Sequence, residues 1–113
     1  MSGGKYRNKK IEVDGILFDS KKESRRWIEL RILEKAGEIS ELSRQKSYTL
    51  LPSQKLNGKV VERSVVYKAD FAYKTKDGKY VVEDVKSPAT KTRAYILKRK
   101  MLLYFYGIKI DEI

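Results

Sequence analysis

Apolar and polar positions alternate through "KIEVDGILF", and the alternation turns over at Asp14-Gly15, a pair suited to a two-residue type I′ turn. This predicts a hairpin over 10 to 18, with Val13 opposite Ile16 and Ile11 opposite Phe18. The spacing then changes to that of a helix: Ser20 with Glu23 three residues on marks its start, and Gly37 its end. Glu23, Trp27, Leu30 and Glu34 recur at i, i+4, i+7 and i+11. Glu23 therefore shares the stripe of Trp27 and Leu30, and its carboxylate is aimed at the protein.

A connection through Ile39 and Leu42 leads to a strand in "QKSYTLLP". Asn57-Gly58 is a second turn, opening directly into one long strand, "VERSVVYKADFAYKT". "KDG" returns the chain as "KYVVEDVKS"; after Pro88 a helix runs from about Thr92 to Tyr106, closed by Gly107, and "IKIDEI" is the last strand. Strand, helix, strand at this spacing is a right-handed crossover, which lays the last strand parallel to "YVVEDVK". The expected fold class is α/β, a mixed sheet flanked by helices, in the order hairpin, α, β, β, β, α, β. Residues 10–113 form the domain and 1–9 a basic arm.

Asp70, Glu83, Asp84 and Lys86 interrupt segments that otherwise read as buried strand. Two registers are open. A two-residue Asp77-Gly78 turn would set Asp70 opposite Val85 and scatter the carboxylates. A three-residue loop over Lys76, Asp77 and Gly78, with Gly78 left-handed, sets Asp70 opposite Asp84, Ala72 opposite Val82 and Lys68 opposite Lys86. The second also matches Ala69, Phe71 and Tyr73 with Val85, Glu83 and Val81 on a largely apolar opposite face, and is the register expected here.

Composition narrows the chemistry. The 113 residues carry 26 Lys and Arg against 15 Asp and Glu, a net charge of +11, which favours polyanionic partners, nucleic acid first. With neither His nor Cys, thiol nucleophiles, imidazole catalysis and the usual zinc sites are excluded. The longest apolar run, "MLLYFYGI", falls well short of a membrane span, and no signal-peptide pattern precedes the domain. A cytoplasmic location is expected.

Two carboxylates side by side repel and raise each other's pKa unless a cation lies between them. Mg²⁺ is the natural filler, with Mn²⁺ an alternative, because it takes carboxylate, carbonyl and water oxygens. Lys86, two residues beyond Asp84, would share their face and orient a water or stabilise charge on a phosphate.

Asp70, a hairpin, then "Asp84-Val85-Lys86" resembles the PD-(D/E)XK signature of restriction-endonuclease-like nucleases. The resemblance extends through "FDSKKE", "YKADFAY", "VVEDVKS", "TRAYILKRK" and "YGIKI", over about residues 9 to 113, and is to a small phage-encoded family described as a domain of unknown function. It implies an αβββαβ core and metal-dependent phosphodiester hydrolysis in the bacterial host cytoplasm. Asp70 would be the first acid of the signature, Asp84 the second and Lys86 its lysine; Glu23 would match the first-helix acid of many members. Glu23, Asp70, Asp84 and the Val85 carbonyl would hold one or two metals. Lys68-Ala69 stands where the signature has Pro.

DNA contacts are expected from Lys5, Arg7, Lys9 and Lys10 in and beside the arm and from Tyr95 and Lys98 on the last helix. The substrate expected is branched or otherwise structured DNA, because so short a chain has no room for a separate sequence-reading domain; cutting both strands of a junction would favour a homodimer. Plainer readings stand beside these. Glu23 can simply complete a capping box, and Asp70 and Asp84 can be charges that keep a sheet edge from aggregating. Lys5 through Lys10 can serve solubility alone, and the charged face of the last helix can be only solvated. Glu83 is expected to pair with an Arg or Lys rather than a metal. On the same fold, a non-catalytic DNA-binding or packaging protein is the competing function.

Overall fold

Asp14 and Gly15 both adopt left-handed backbone, φ +53° and +78°, the conformation a type I′ turn requires. They join β1 (Ile11–Val13) to β2 (Ile16–Phe18) with Ile11 opposite Phe18 and Val13 opposite Ile16, as the alternation predicts. The protein is described here by a computed structural model covering residues 10–113; the DNA contacts expected from Lys5, Arg7 and Lys9 lie outside the described residues.

Ser20 caps α1 (Lys21–Lys35), its hydroxyl accepting the Glu23 amide at 3.1 Å. Glu23, Trp27 and Leu30 form the buried stripe. Gly37, at φ +80°, ends the helix with its amide on the Glu34 carbonyl at 3.1 Å. The main sheet follows: β3 (Ile39–Leu51), β6 (Val65–Thr75), β7 (Tyr80–Asp84) and β8 (Asp111–Glu112), in the spatial order β3-β6-β7-β8. Between β3 and β6 the chain makes a separate two-stranded ribbon, β4 (Gln54–Leu56) and β5 (Lys59–Glu62). A short 3-10 turn, Pro88–Thr90, precedes α2 (Arg93–Tyr106).

The β6-β7 loop takes the three-residue form. Thr75 and Lys79 close it with an amide-to-carbonyl bond of 2.8 Å, Gly78 is left-handed at φ +86°, and Ala72 lies opposite Val82. β8 runs parallel to β7, with Asp84 opposite Glu112. The molecule is a mixed α/β structure: one mixed sheet, with α1 and the β1-β2 hairpin on one face and α2 on the other.

Three expectations need correction. β3 begins at Ile39, where a connection was expected, because left-handed residues at Glu41 and Gln45 and a register shift between Ser40 and Ser43 break the alternation that marks a strand. The expected single strand over 61 to 75 is split at Arg63-Ser64, so the Asn57-Gly58 turn closes the ribbon rather than opening β6. Finally, Ala69, Phe71 and Tyr73 do not share one apolar face. Ala69 packs with Tyr67, Tyr48 and Leu50 under α2, whereas Phe71 and Tyr73 pack with Phe18, Trp27 and Leu30 under α1. Side-chain facing therefore changes around Asp70, next to the left-handed Gln45 on β3.

At the end of α2, Gly107 takes φ +70° and donates its amide to the Leu103 carbonyl at 2.9 Å. A Cβ there would meet nothing within 4 Å, so Gly107→Ala isolates the cost of left-handed backbone. It is expected to lower unfolding free energy by about 1 kcal/mol in urea titration; no change would mean that α2 ends differently.

Candidate functional site

The β6-β7 ladder holds regular pairing as far as Phe71 opposite Glu83. One residue further, the two acidic side chains bridge the strands. The Asp70 amide donates to Asp84 Oδ1 at 2.9 Å, and the Val85 amide donates to Asp70 Oδ2 at 2.8 Å. Asp84 also accepts the Tyr67 hydroxyl. Asp70 and Asp84 thus meet where the expected register puts them, each carboxylate holding the opposite strand's backbone.

Burial makes these acids weak. Loss of hydration raises Asp84 from its ordinary 3.8 to about 6, against the opposing pull of the Asp70 amide and of Lys86. Asp70 is raised by burial too, opposed by the Val85 amide, Lys86, Gln45 and Arg44. Glu23, 6% exposed, rises from 4.5 to about 7 through burial first and then through the neighbouring charge of Asp70, with Arg44 acting the other way. Ser20 caps the helix, but the Glu23 carboxylate makes no return bond to the Ser20 amide; it faces the Arg44 guanidinium at 3.9 Å. The Glu23 side chain therefore does not complete a capping box.

Of the clefts that Lys86 borders, two reach the acids. One, of about 410 Å³, is lined by Lys10, Glu23, Asp70, Val85 and Lys86. The other, of about 310 Å³, is lined by Tyr67, Lys68, Asp84, Lys86, Tyr95 and Lys98. The Lys86 ammonium lies over the Tyr95 ring, 4.3 Å from its centre, a contact that holds the long side chain between the clefts. Glu23 and Asp70 thus open on one side of Lys86, and Asp84 on the other.

The structure also places the remaining candidates. Lys10 pairs with Asp19 at 3.1 Å on the rim of the first cleft. Lys98 lines the second cleft, and among the described residues no carboxylate pairs with it. Tyr95 differs from expectation as a phosphate-binding group: it is buried, and its hydroxyl donates to Glu112 at 2.7 Å. Glu112 also takes Lys91 and Arg99, each at 2.8 Å, which lowers its pKa to about 2. Glu83 pairs as expected, with Arg26: the guanidinium Nε lies 2.8 Å from one carboxylate oxygen and a terminal nitrogen 2.5 Å from the other, while Tyr73 donates its hydroxyl too.

Tyr67 and Arg44 were not anticipated. Tyr67 reads as one more strand aromatic, and nothing local ties it to Asp84. Arg44 stacks on Phe18 and Trp27, 4.7 and 5.9 Å from their ring centres. No spacing rule links it to Glu23, 21 positions earlier; only the β3 irregularity turns it that way.

The donor chemistry fits a hard divalent cation in part. Glu23 and Asp70 bring carboxylate oxygens to the cleft that Val85 also lines, and their acidity stays weakened despite Arg44 and Lys86, a shift that a divalent ion would reverse. However, among the described residues no group of three or more acidic side chains is arranged as a cation cage, and Asp84 accepts the Tyr67 hydroxyl.

The raised acids make stability depend on pH. A carboxyl that binds its proton more tightly folded than unfolded destabilises the fold as it ionises, so stability falls as pH rises from the unfolded toward the folded pKa. For Glu23 that window runs from 4.5 to about 7. In the absence of divalent ions, Glu23→Gln is expected to raise the urea midpoint above about pH 7 and to matter little below pH 4.5. The opposite pH trend would show that Arg44 outweighs burial.

Fold and site together define a small mixed α/β protein with acids and a lysine gathered where two central strands part. The chain belongs to the family described as protein of unknown function DUF1064, whose model matches residues 3–111. Comparison with curated proteins and with solved structures yields no match. Among the described residues no helix is long and apolar enough to cross a membrane.

Proposed function

We propose that this protein is a Mg²⁺- or Mn²⁺-dependent endodeoxyribonuclease with a restriction-endonuclease-like core. The observation carrying this reading is the meeting of Asp70, Asp84 and Lys86 at the splayed end of β6 and β7, with Glu23 delivered by α1 to the cleft that Asp70 and Lys86 line. The chain order α1, β3, β6, β7, α2, β8, with β8 parallel to β7, supports an αβββαβ core in which the ribbon is an insertion. The net charge of +11 suits a polyanionic substrate.

In this account Glu23, Asp70, Asp84 and the Val85 carbonyl hold the metal, with Asp84 released from Tyr67 to do so. The bound ion would offset charge on the phosphate and lower the pKa of a coordinated water. Lys86 borders both clefts, so its ammonium can donate to a phosphate oxygen or orient the attacking water. Lys10 and Lys98 flank it, one beside each cleft, where they can hold neighbouring phosphates. A branched substrate, cut by a homodimer in the host cytoplasm, is the subtype proposed.

The engagement of Asp84 by Tyr67 favours a second reading, a DNA-binding protein on the same fold that does not cut. Incubation with linear, single-stranded, flap and four-way DNA in Mg²⁺, Mn²⁺ or EDTA separates the two. Cleavage that EDTA abolishes supports the nuclease and identifies its substrate. Metal-indifferent binding without cleavage in any mixture supports the second reading.

A further inference from the structure

The β4-β5 ribbon contributes nothing to either buried cluster. All seven of its strand residues are exposed, Leu56 at 66% and Val60 at 55%. A two-stranded ribbon alone is marginally stable in water, yet this one is sharply specified: Asn57 and Gly58 take φ +52° and +79°, the left-handed pair of a type I′ turn. It lies outside the buried clusters of a molecule that is extended for its length. The radius of gyration is 16.7 Å, against about 13 Å for a compact chain of this length.

Charge and position indicate what it meets. Lys55 lies opposite Val60 and Lys59 opposite Leu56, so each face of the ribbon presents one ammonium beside one aliphatic side chain. Neither these lysines nor Arg63 at the base makes an ion pair with a described residue. With Lys55, Lys59 and Arg63 against the single carboxylate of Glu62, the ribbon and its base carry net positive charge, to which a phosphate-walled groove is complementary. The ribbon also springs from the correct end of the molecule. β6 leaves it at Val65 and reaches Asp70 five residues later, and β7 ends at Asp84 on the same side. At ~3.3 Å per residue, the turn at Asn57 can lie at most about 40 Å from Asp70, roughly one turn of duplex.

We propose that the β4-β5 ribbon enters a groove of duplex DNA flanking the cleavage site, with Lys55 and Lys59 on the phosphate walls and Leu56 and Val60 against sugars and thymine methyl groups. The major groove has the width to admit a two-stranded ribbon. This rests on the nuclease reading of the site and adds to it a reader for the duplex arm beyond the scissile phosphate.

The test compares wild type with Lys55→Ala/Lys59→Ala for binding to a duplex in EDTA across a salt series, alongside melting temperature and molecular mass. Both lysines are exposed and outside the core, so the variant is expected to melt as wild type does. Affinity should fall about tenfold, and the slope of log affinity against log salt should become shallower by about 2. Wild type should also lose affinity for duplexes trimmed to less than about one turn beyond the cut. Unchanged affinity and slope in a variant of a DNA-binding wild type would overturn the ribbon assignment and leave the nuclease reading standing. A wild type that neither binds nor cuts DNA would overturn that reading itself. Loss of a dimer on trimming the ribbon, with the lysines neutral toward DNA, would make it a protein interface and also overturn the proposal.

Discussion

Asp70→Ala is expected to reduce Mg²⁺-dependent DNA cleavage by more than about 100-fold while leaving DNA binding in EDTA within a few-fold of wild type. The side chain has two roles that Ala removes together: it accepts the Val85 amide at 2.8 Å, and it is a carboxylate donor lining the cleft with Glu23. Loss of residues that merely orient metal ligands commonly costs 10- to 100-fold, so loss of a ligand should exceed that range. Asp70→Asn separates the roles, since the amide oxygen can still accept from Val85 but no longer carries charge. Wild-type stability with the same loss of cleavage would assign the effect to charge at the metal. Recovered cleavage in Asp70→Asn would make Asp70 a structural bridge and remove it from the proposed catalytic set.

The second large effect is on stability. Arg26→Met leaves Glu83, 1% exposed, with only the Tyr73 hydroxyl for a partner. Removing one member of a buried ion pair typically costs about 3–5 kcal/mol, which in a chain of this size lowers the melting temperature by at least ~10 °C. Arg26→Met/Glu83→Leu should regain most of that loss, because the stranded charge is gone. A single variant that costs less than about 1 kcal/mol would show that Glu83 protonates or finds water instead. The pair bears on the site as well: Arg26 is one turn beyond Glu23, so its bond to β7 helps set the first-helix acid beside the strands that carry Asp70 and Asp84.

The parts of this fold that were legible in the sequence are those governed by local rules. Asp14-Gly15 and Asn57-Gly58 specify type I′ turns through their own backbone preferences, Ser20 and Thr92 accept amides three residues on, and Gly37 and Gly107 end helices because they tolerate positive φ. The β6-β7 register was legible from cross-strand matching: a three-residue loop ending in Gly78 sets Phe71 opposite Glu83 and Tyr73 opposite Val81, and both pairs hold although Ala69 lies on the other face. What failed were inferences from strict alternation. Glu41 and Gln45 are left-handed without being glycine, and neither side chain announces it. Once they bend β3, the facing of Arg44, Tyr48 and Leu50 can no longer be counted from one end of the strand. The same change of face around Asp70 divides Ala69 from Phe71.

The site was legible in its acids and lysine and obscure in its partners. Asp70, Asp84 and Glu23 stand out because ionisable groups on apolar stripes contradict the pattern around them. Tyr67 and Tyr95 do not, since an aromatic residue on a strand or helix is ordinary core material until its hydroxyl finds a carboxylate. Arg44 faces Glu23 only through long-range packing. The last helix is expected to bring Tyr95 near the end of the strand that carries Asp84 and Lys86, and Glu112, brought alongside by the parallel β8, takes its hydroxyl.

Cleavage of branched DNA by wild type and Asp84→Ala, each in Mg²⁺ and in EDTA, tests the central claim most directly. The account predicts nicks from wild type in Mg²⁺, and none from wild type in EDTA or from Asp84→Ala in either. Equal cleavage by Asp84→Ala, or tight wild-type binding with every strand intact in Mg²⁺ and Mn²⁺, would contradict it.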